Sequence, residues 1–170
     1  MAKTIKCTLS TLDDAIREIE EYERNMRTKL ERLREAVAER VQEHAAALFA
    51  GAVVDDTLKG ARLADVSVNI DRQENVTLVI ADGKDAVFVE FGAGVYHNGS
   101  AGGSPHPEGS RLGFTIGGYG KGYGSKKTWG YRDAEGELVL THGTPAVMPM
   151  YTALKTVCNQ IGEIAKEVFA

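Results

Sequence analysis

Four residues in the second half of the chain have side chains suited to bind a metal or to move protons: Glu90, His97, His106 and His142. Zinc ligands usually occur in close pairs such as HxxxH or CxxC, whereas these histidines are separated by 9 and 36 residues. We therefore interpret them as polar loop residues in water or at an interface, and we predict no metal, no cofactor and no enzymatic activity. The alternative is a hydrolase that uses Glu90 and His97, although the serines lack the GxSxG pattern of a nucleophile elbow.

These residues lie in or beside a glycine-rich interval, 92–143, which holds 15 of the 19 glycines. Long loops of this kind are usually functional or mobile. The segment GGYGKGYGSKK within it invites comparison with a phosphate-binding loop. No glycine stands five residues before a Gly-Lys-Ser/Thr, and no GxGxxG can be placed on the segment, so we predict no nucleotide site.

The same interval carries a basic and aromatic segment, because residues 110–132 contain five positive charges and no acid. Tyrosine, glycine and arginine are typical of protein–protein surfaces, which is the interpretation we favour. The alternatives are contact with DNA, through cations on phosphates and rings on bases, and a plain exposed loop. The interface residues proposed from this segment are Tyr119, Lys121, Tyr123, Lys126, Lys127, Trp129 and Tyr131.

The composition is that of an ordinary globular protein: 170 residues, 43% hydrophobic, 26% charged, with a net charge of −4. These values predict one domain, 1–170, and argue against both a disordered chain and a generally basic nucleic-acid binder. The first ten residues do not resemble a signal peptide, and no apolar run is long enough to span a bilayer. We expect no membrane partner, assembly in a cytoplasm, and reduced, structural Cys7 and Cys158.

A single long helix dominates the predicted architecture. After a short strand at residues 3–9, apolar residues recur every 3.6 positions through the predicted helix 11–50, up to Gly51. Such a helix extends about 60 Å, but a compact domain of this size is only about 40 Å across. It must therefore kink, break or project, and projection would leave part of its apolar stripe to pack on another subunit.

The remaining elements predict an α+β fold, in which the long helix and a C-terminal helix pack on a small, mainly antiparallel sheet at about 65–92. Residues 52–64 are interpreted as a linker or short helix. The predicted strands are Val66–Ile70 and Val76–Ala81 as a hairpin, Ala86–Phe91 as a third strand, and Thr128–Arg132 with Glu137–Thr141 as a second hairpin that closes the glycine-rich loop; the last helix is about 149–169.

Two short motifs resemble a known family. The stretch FVEFGAGVYHNG and, after the glycine-rich interval, THGTPAVMPMYTAL are similar to the minor tail or neck proteins of long-tailed bacteriophages. The matching residues of the first motif are Val89, Glu90, Phe91, Gly92 and Gly94, and Thr144, Pro145, Ala146, Met148 and Pro149 approximate the second. The order of elements is also similar over most of the chain, whereas Ala93 replaces the family's frequent threonine and the interval between the motifs is longer.

The resemblance implies a structural protein of the virion, assembled in the bacterial host, that forms a ring, commonly six-fold, between the portal-side connector and the tail tube. The basic and aromatic segment inherits no role from it. In this interpretation Phe91 is a core residue at a strand end, and Glu90, on the opposite face, pairs at a subunit boundary. Residues 95–128 then form an assembly loop that becomes ordered against a neighbouring subunit or the next ring.

Overall fold

The computed structural model describes residues 12–54, 60–93, 104–114, 128–132 and 135–170. It confirms an α+β fold, with a long first helix, a C-terminal helix and small antiparallel β-structure between them. The predicted strand at residues 3–9 lies outside the described residues. In chain order the elements are α1 (Leu12–Ala50), β1 (Val53–Val54), β2 (Arg62–Leu63), β3 (Ser67–Arg72), β4 (Thr77–Asp82), α2 (Ala86–Phe91), β5 (Trp129–Arg132), β6 (Leu138–Thr141) and α3 (Pro149–Phe169).

Helix α1 is continuous over 39 residues, as its composition predicts. The segment contains neither glycine nor proline, and Asp13 and Asp14 in the first turn interact favourably with the helix dipole. Its C-terminal half faces the core through Ala38, Val41, Ala45 and Phe49. Of residues 12–32, in contrast, Ala15 alone is buried. The C-terminal half of α1 therefore packs in the domain core, whereas its N-terminal half is largely exposed.

The hairpin of β3 and β4 packs on α1 and confirms the first predicted hairpin. Its register runs from Ser67 opposite Asp82 to Arg72 opposite Thr77. Glu35 on α1 contacts both strands, because it accepts hydrogen bonds from Arg72 Nε at 2.6 Å and from Thr77 Oγ1 at 3.3 Å. These contacts hold the turn end of the hairpin against the helix.

The hydrophobic core lies where the C-terminal half of α1 meets α3, the β3–β4 hairpin and α2. Phe49, Val89, Val157 and Ile164 are its largest buried apolar side chains other than proline. Residues from elements distant in sequence thus share one core, as expected for a single domain. The other buried members are Val41, Ala45, Ala52, Val54, Val68 and Ala153.

The β-structure differs from a single small sheet, since within the described residues it forms three separate two-stranded antiparallel ribbons. The segment 52–64, interpreted as a linker or short helix, instead supplies β1 and β2, with Val53 opposite Leu63. The second predicted hairpin is confirmed as β5 and β6, with Trp129 opposite Thr141. None of the described helices is both long and apolar enough to cross a bilayer.

The predicted third strand is wrong, because Ala86–Phe91 is the helix α2. Its sequence, AVFVEF, is a short apolar run that could be either element, since β-branched residues favour a strand but burial decides. In a strand the neighbours Val89 and Glu90 would point to opposite faces, whereas a helical turn lets both be buried together. Gly92 ends the helix with a φ of 79°, and its N–H bonds to Phe88 O at 2.8 Å.

Candidate functional site

The two motifs that carry the family resemblance lie side by side in the structure. Val89 O accepts hydrogen bonds from the N–H groups of Val147, at 2.8 Å, and Met148, at 3.4 Å. Ala93 and Thr144 exchange two backbone hydrogen bonds of 2.8 Å each, forming an isolated antiparallel bridge. Segments more than 50 residues apart in sequence thus form one structural unit, which we call the motif junction (residues 89–93 with 144–151).

Glu90 is the central polar residue of the motif junction. The residue is 6% exposed, and Oε2 accepts the N–H of Met150 at 2.8 Å while Oε1 accepts the N–H of Tyr151 at 2.9 Å. These are free N–H groups of the first turn of α3, which no residue within the helix can satisfy. Glu90 therefore caps α3 from another helix, and its charge favours the positive end of the helix dipole. Glu90 was expected to pair at a subunit boundary, whereas the hydrogen-bond partners of its carboxylate lie within its own chain.

The start of α3 needs this external cap. Met148 stands at the N-cap position, but its apolar side chain makes no capping hydrogen bond, and its φ of 56° is left-handed. Pro149 follows as the first helical residue, where its missing N–H costs nothing and its ring fits the helical φ. The next two N–H groups are those that Glu90 accepts, and Thr152 N–H begins the helical pattern by bonding to Met148 O at 2.9 Å.

His106 completes the hydrogen bonds of the Glu90 carboxylate. Its Nε2 lies 3.1 Å from Glu90 Oε1, and its Nδ1 accepts the backbone N–H of Glu108 at 3.1 Å. Because Nδ1 acts as an acceptor, we assign the ring proton to Nε2, which then donates to Glu90. His106 is 7% exposed. Its interpretation as a loop residue in water or at an interface is therefore wrong, since the ring packs inside its own subunit.

Aromatic rings surround His106 and attach residues 104–114 to the domain. Phe114 stacks on Phe91 with ring centroids 3.9 Å apart, and the His106 ring lies 4.5 Å from Phe91 and 5.2 Å from Tyr151. Ser104 Oγ donates a short hydrogen bond to Phe91 O. The expectation that residues 95–128 become ordered only against another subunit is thus wrong for residues 104–114. Residues 94–103 and 115–127 lie outside the described residues.

One feature of the sequence does indicate this anchored turn. Pro105 and Pro107 restrict the backbone on both sides of His106, and such flanking prolines are typical of a defined turn rather than a mobile loop. No comparable local pattern in the sequence indicates the roles of Phe114 and Tyr151. Both residues contribute through ring packing that depends on the tertiary fold.

The other predicted site residues belong to other segments of the chain, except Pro145, which lies in the motif junction. Trp129 and Tyr131 belong to β5, and His142 is exposed after β6. Pro145 is exposed beside the buried Thr144. Outside the described residues lie Gly94, His97, Tyr119, Lys121, Tyr123, Lys126 and Lys127.

An ion pair between the buried Asp85 and the partly exposed Arg62 lies before α2. Asp85 is 4% exposed and accepts hydrogen bonds from Arg62 Nη1 and Nη2, at 2.6 and 2.8 Å, and from the N–H of Asp65 at 2.8 Å. Burial disfavours the Asp85 anion, but these hydrogen bonds and the charges of Arg62 and Lys84 outweigh it and hold the pKa of Asp85 below its usual 3.8. The pair connects β2 to the start of α2.

An open groove of about 670 Å³ lies between α1, β4 and α3, and Glu90 and His106 contribute to its wall. Most of its other lining residues are apolar, and Arg34 Nε is buried without a hydrogen bond to any described group. Within the described part of the chain, no three His, Cys, Asp or Glu side chains are arranged to hold a metal ion. The groove can accept an apolar side chain or helix edge. The apolar lining includes Leu30, Leu33, Val37, Val41, Leu154 and Ile161.

The polar side chains of Glu90 and His106 in the motif junction are thus hydrogen-bonded within the chain rather than left open to bind a ligand. Both oxygens of Glu90 and both ring nitrogens of His106 have partners within the chain. Such an arrangement can fix three segments in one geometry. Comparison of the chain with protein-family models, with curated proteins and with solved structures finds no match.

Proposed function

We propose that the chain is a structural tail component of a tailed bacteriophage or prophage, which helps to complete or join the head–tail interface. In this role it assembles into a homo-oligomeric ring, commonly of six subunits, between the connector and the tail-tube proteins. The observation that carries the proposal is the motif junction. The two motifs that resemble the phage family are in direct contact there, so the resemblance involves one structural unit rather than two unrelated short matches.

The long helix also supports a structural role. A subunit of a larger assembly needs surfaces that remain exposed until another subunit covers them, and α1 exposes apolar side chains over its first half. The motif junction serves the same role by fixing α2, residues 104–114 and the start of α3 in one rigid unit. A rigid unit keeps the angle between neighbouring subunits constant, which a closed ring requires.

The proposal is tested on particles from the cells that encode the chain. Gold-labelled antibody against the chain should mark the neck or the head-proximal end of the tail in purified virions. Deletion of the gene should yield heads and tails that do not join, and a wild-type copy supplied in trans should restore joined particles. Normal joined particles from the deletion strain, or labelling confined to another structure, would contradict the proposal.

The DNA-contacting alternative makes a different prediction. If Lys121, Lys126 and Lys127 contact phosphates, the purified chain binds duplex DNA at low salt and loses affinity steeply as salt rises. Changing the three lysines to glutamate abolishes that binding. The matched control changes three basic residues of α1 instead: Arg24, Arg32 and Arg40 to glutamate. DNA binding that is equally weakened in both triple variants reflects net charge alone and contradicts the alternative.

A further inference from the structure

The first half of α1 exposes an apolar stripe that is continuous with the core-facing side of the same helix. The exposed fractions of Leu12, Ile16, Ile19, Tyr22 and Leu30 lie between 46% and 64%. A stripe this long is a candidate interaction surface, since monomeric proteins rarely expose contiguous apolar surface without a purpose. It leads at Leu30 and Leu33 into the apolar groove between α1, β4 and α3.

The charges along this half of α1 are separated by sign. Residues 12–23 contain six acids and one base, whereas residues 24–34 contain five bases and one acid. Within one helix the charges form i,i+4 pairs such as Glu20–Arg24 and Glu23–Arg27, which lie mainly near the boundary of the two segments. Between two copies that run in opposite directions, however, each acidic segment faces a basic one. The segment is therefore electrostatically complementary to itself in the antiparallel orientation, except for Glu23 at its midpoint, which meets its own copy, and it is repulsive in the parallel orientation.

We propose that residues 12–34 of α1 pair antiparallel with the same residues of a second copy, about a two-fold axis near Glu23. The spacing of the apolar stripe supports this register, because its positions are nearly symmetric about residue 23. Leu12 then faces Leu33, Ile16 faces Leu30, and Ile19 faces Met26 of the second copy. The groove beside Leu30 and Leu33 receives Leu12 and Ile16 of that copy.

The charged positions that flank the stripe agree with this register. In antiparallel helix pairs, residues on the same flank of the two helices meet across the contact. Glu20 and Arg27 share one flank and fall opposite each other, and Glu18 and Lys29 do so on the other. Lys29 already donates a hydrogen bond to Phe169 O at 3.0 Å, so the contact between Glu20 and Arg27 is the sharper one to test.

This pairing does not depend on the proposed function. A two-fold contact joins the same surface on both copies, whereas a ring closes through a head-to-tail contact between different surfaces. The pairing can therefore exist in a protein of any role, and it can link two rings or two subunits. Failure of the particle experiment would leave it intact, and failure of the pairing would leave the ring proposal intact.

Disulfide trapping tests the register directly. In a chain with Cys7→Ser and Cys158→Ser, the variant Glu23→Cys places a thiol next to its own copy at the axis, within the 4.4–6.8 Å Cα separation that a disulfide needs. Mild oxidation should convert most of the chain to a covalent dimer of twice 18.3 kDa. Glu21→Cys, on the outward face, is the control and should give little dimer. Equal trapping at both positions, or none at position 23, would overturn the proposal.

A charge swap gives a second test that does not require the cysteine substitutions. Glu20→Lys and Arg27→Glu should each weaken dimerisation at least about tenfold by light scattering at low salt, because each creates two like-charge contacts. The double variant should return to within about threefold of the wild type. Circular dichroism checks that the helix content is unchanged. A wild-type chain that stays monomeric at high micromolar concentration, or a double variant weaker than both single variants, would overturn the pairing.

Discussion

The side chain of Glu90 takes the place of the local capping residue that α3 lacks. The start of α3 has no Ser, Thr, Asp or Asn at its N-cap, so its free N–H groups depend on a carboxylate from α2. A buried carboxylate is costly unless its oxygens are fully hydrogen-bonded, and here two N–H groups and the His106 ring supply the donors. Glu90 therefore couples the folding of α2 and α3. The pair with His106 adds the segment 104–114 to the same unit.

At this scale we predict that Glu90→Gln lowers the free energy of unfolding by about 1–3 kcal/mol. The amide keeps one acceptor oxygen, but its NH₂ group faces one of the donors whose hydrogen bond Glu90 now accepts. That donor is left without a partner. The measurement is urea unfolding followed by circular dichroism. Glu163→Gln, on the exposed surface of α3, is the matched control and should change stability by less than about 0.5 kcal/mol. Equal effects of the two substitutions would show that Glu90 is not a cap.

The short elements β2 and α2 depend on each other through the Arg62–Asp85 pair. Asp85 occupies the N-cap position of α2, yet its carboxylate makes no cap hydrogen bond and instead binds Arg62 and the N–H of Asp65. Gly83 lies just before it, and a Cβ there would stand 2.2 Å from Asp65 O. The chain around Asp65 and Asp85 is therefore closely packed, and an apolar six-residue segment becomes helical because its surroundings define its start.

The lowered pKa of Asp85 predicts a pH dependence of stability. An acid whose pKa is lower in the folded chain stabilises the fold above its unfolded pKa, and that contribution is lost as the pH falls through the folded value. Asp85→Asn should therefore cost about 1–3 kcal/mol near neutral pH, and the difference from wild type should shrink below about pH 4. Urea unfolding at several pH values measures it. A difference that stays constant down to about pH 2 would contradict this role of the ionised carboxylate.

At the scale of the whole molecule, the two halves of α1 differ in where they place their apolar residues. The C-terminal half contributes Val41, Ala45 and Phe49 to the core shared with α3 and the β3–β4 hairpin. The N-terminal half places its apolar residues on the surface. Arg40 and Glu167 form an exposed ion pair at 3.2 Å between α1 and α3, which is worth little beside the apolar packing. Within α1, it is therefore mainly the C-terminal half that stabilises the domain.

This division predicts contrasting effects of two truncations in one helix. Phe49→Ala removes a side chain that is 1% exposed and should lower the free energy of unfolding by about 3–5 kcal/mol. Ile16→Ala removes one that is 46% exposed and should cost less than about 1 kcal/mol in the monomer. Thermal unfolding at low protein concentration measures both. A comparable loss from both substitutions would mean that the first half of α1 also belongs to the core of the monomer.

The sequence by itself determined the elements that have long or regular patterns. The 3.6-residue period, with no Gly or Pro over 39 residues, predicted α1, and the alternation around residues 66–81 predicted the β3–β4 hairpin. The proline-led apolar periodicity after residue 149 predicted α3. These patterns are local, because repeated spacing along the chain places many side chains on one face at once.

Only the tertiary structure decided the conformation of α2 and the positions of Glu90 and His106. A six-residue segment with five apolar residues carries too little periodicity to separate a helix from a strand, so the burial of both Val89 and Glu90 settled the choice. The partners of Glu90 lie 16 residues away at His106 and about 60 away at Met150 and Tyr151. No local pattern records such separations. A buried carboxylate takes its role from the donors that the fold brings to it, and those donors come from two segments that are distant in sequence.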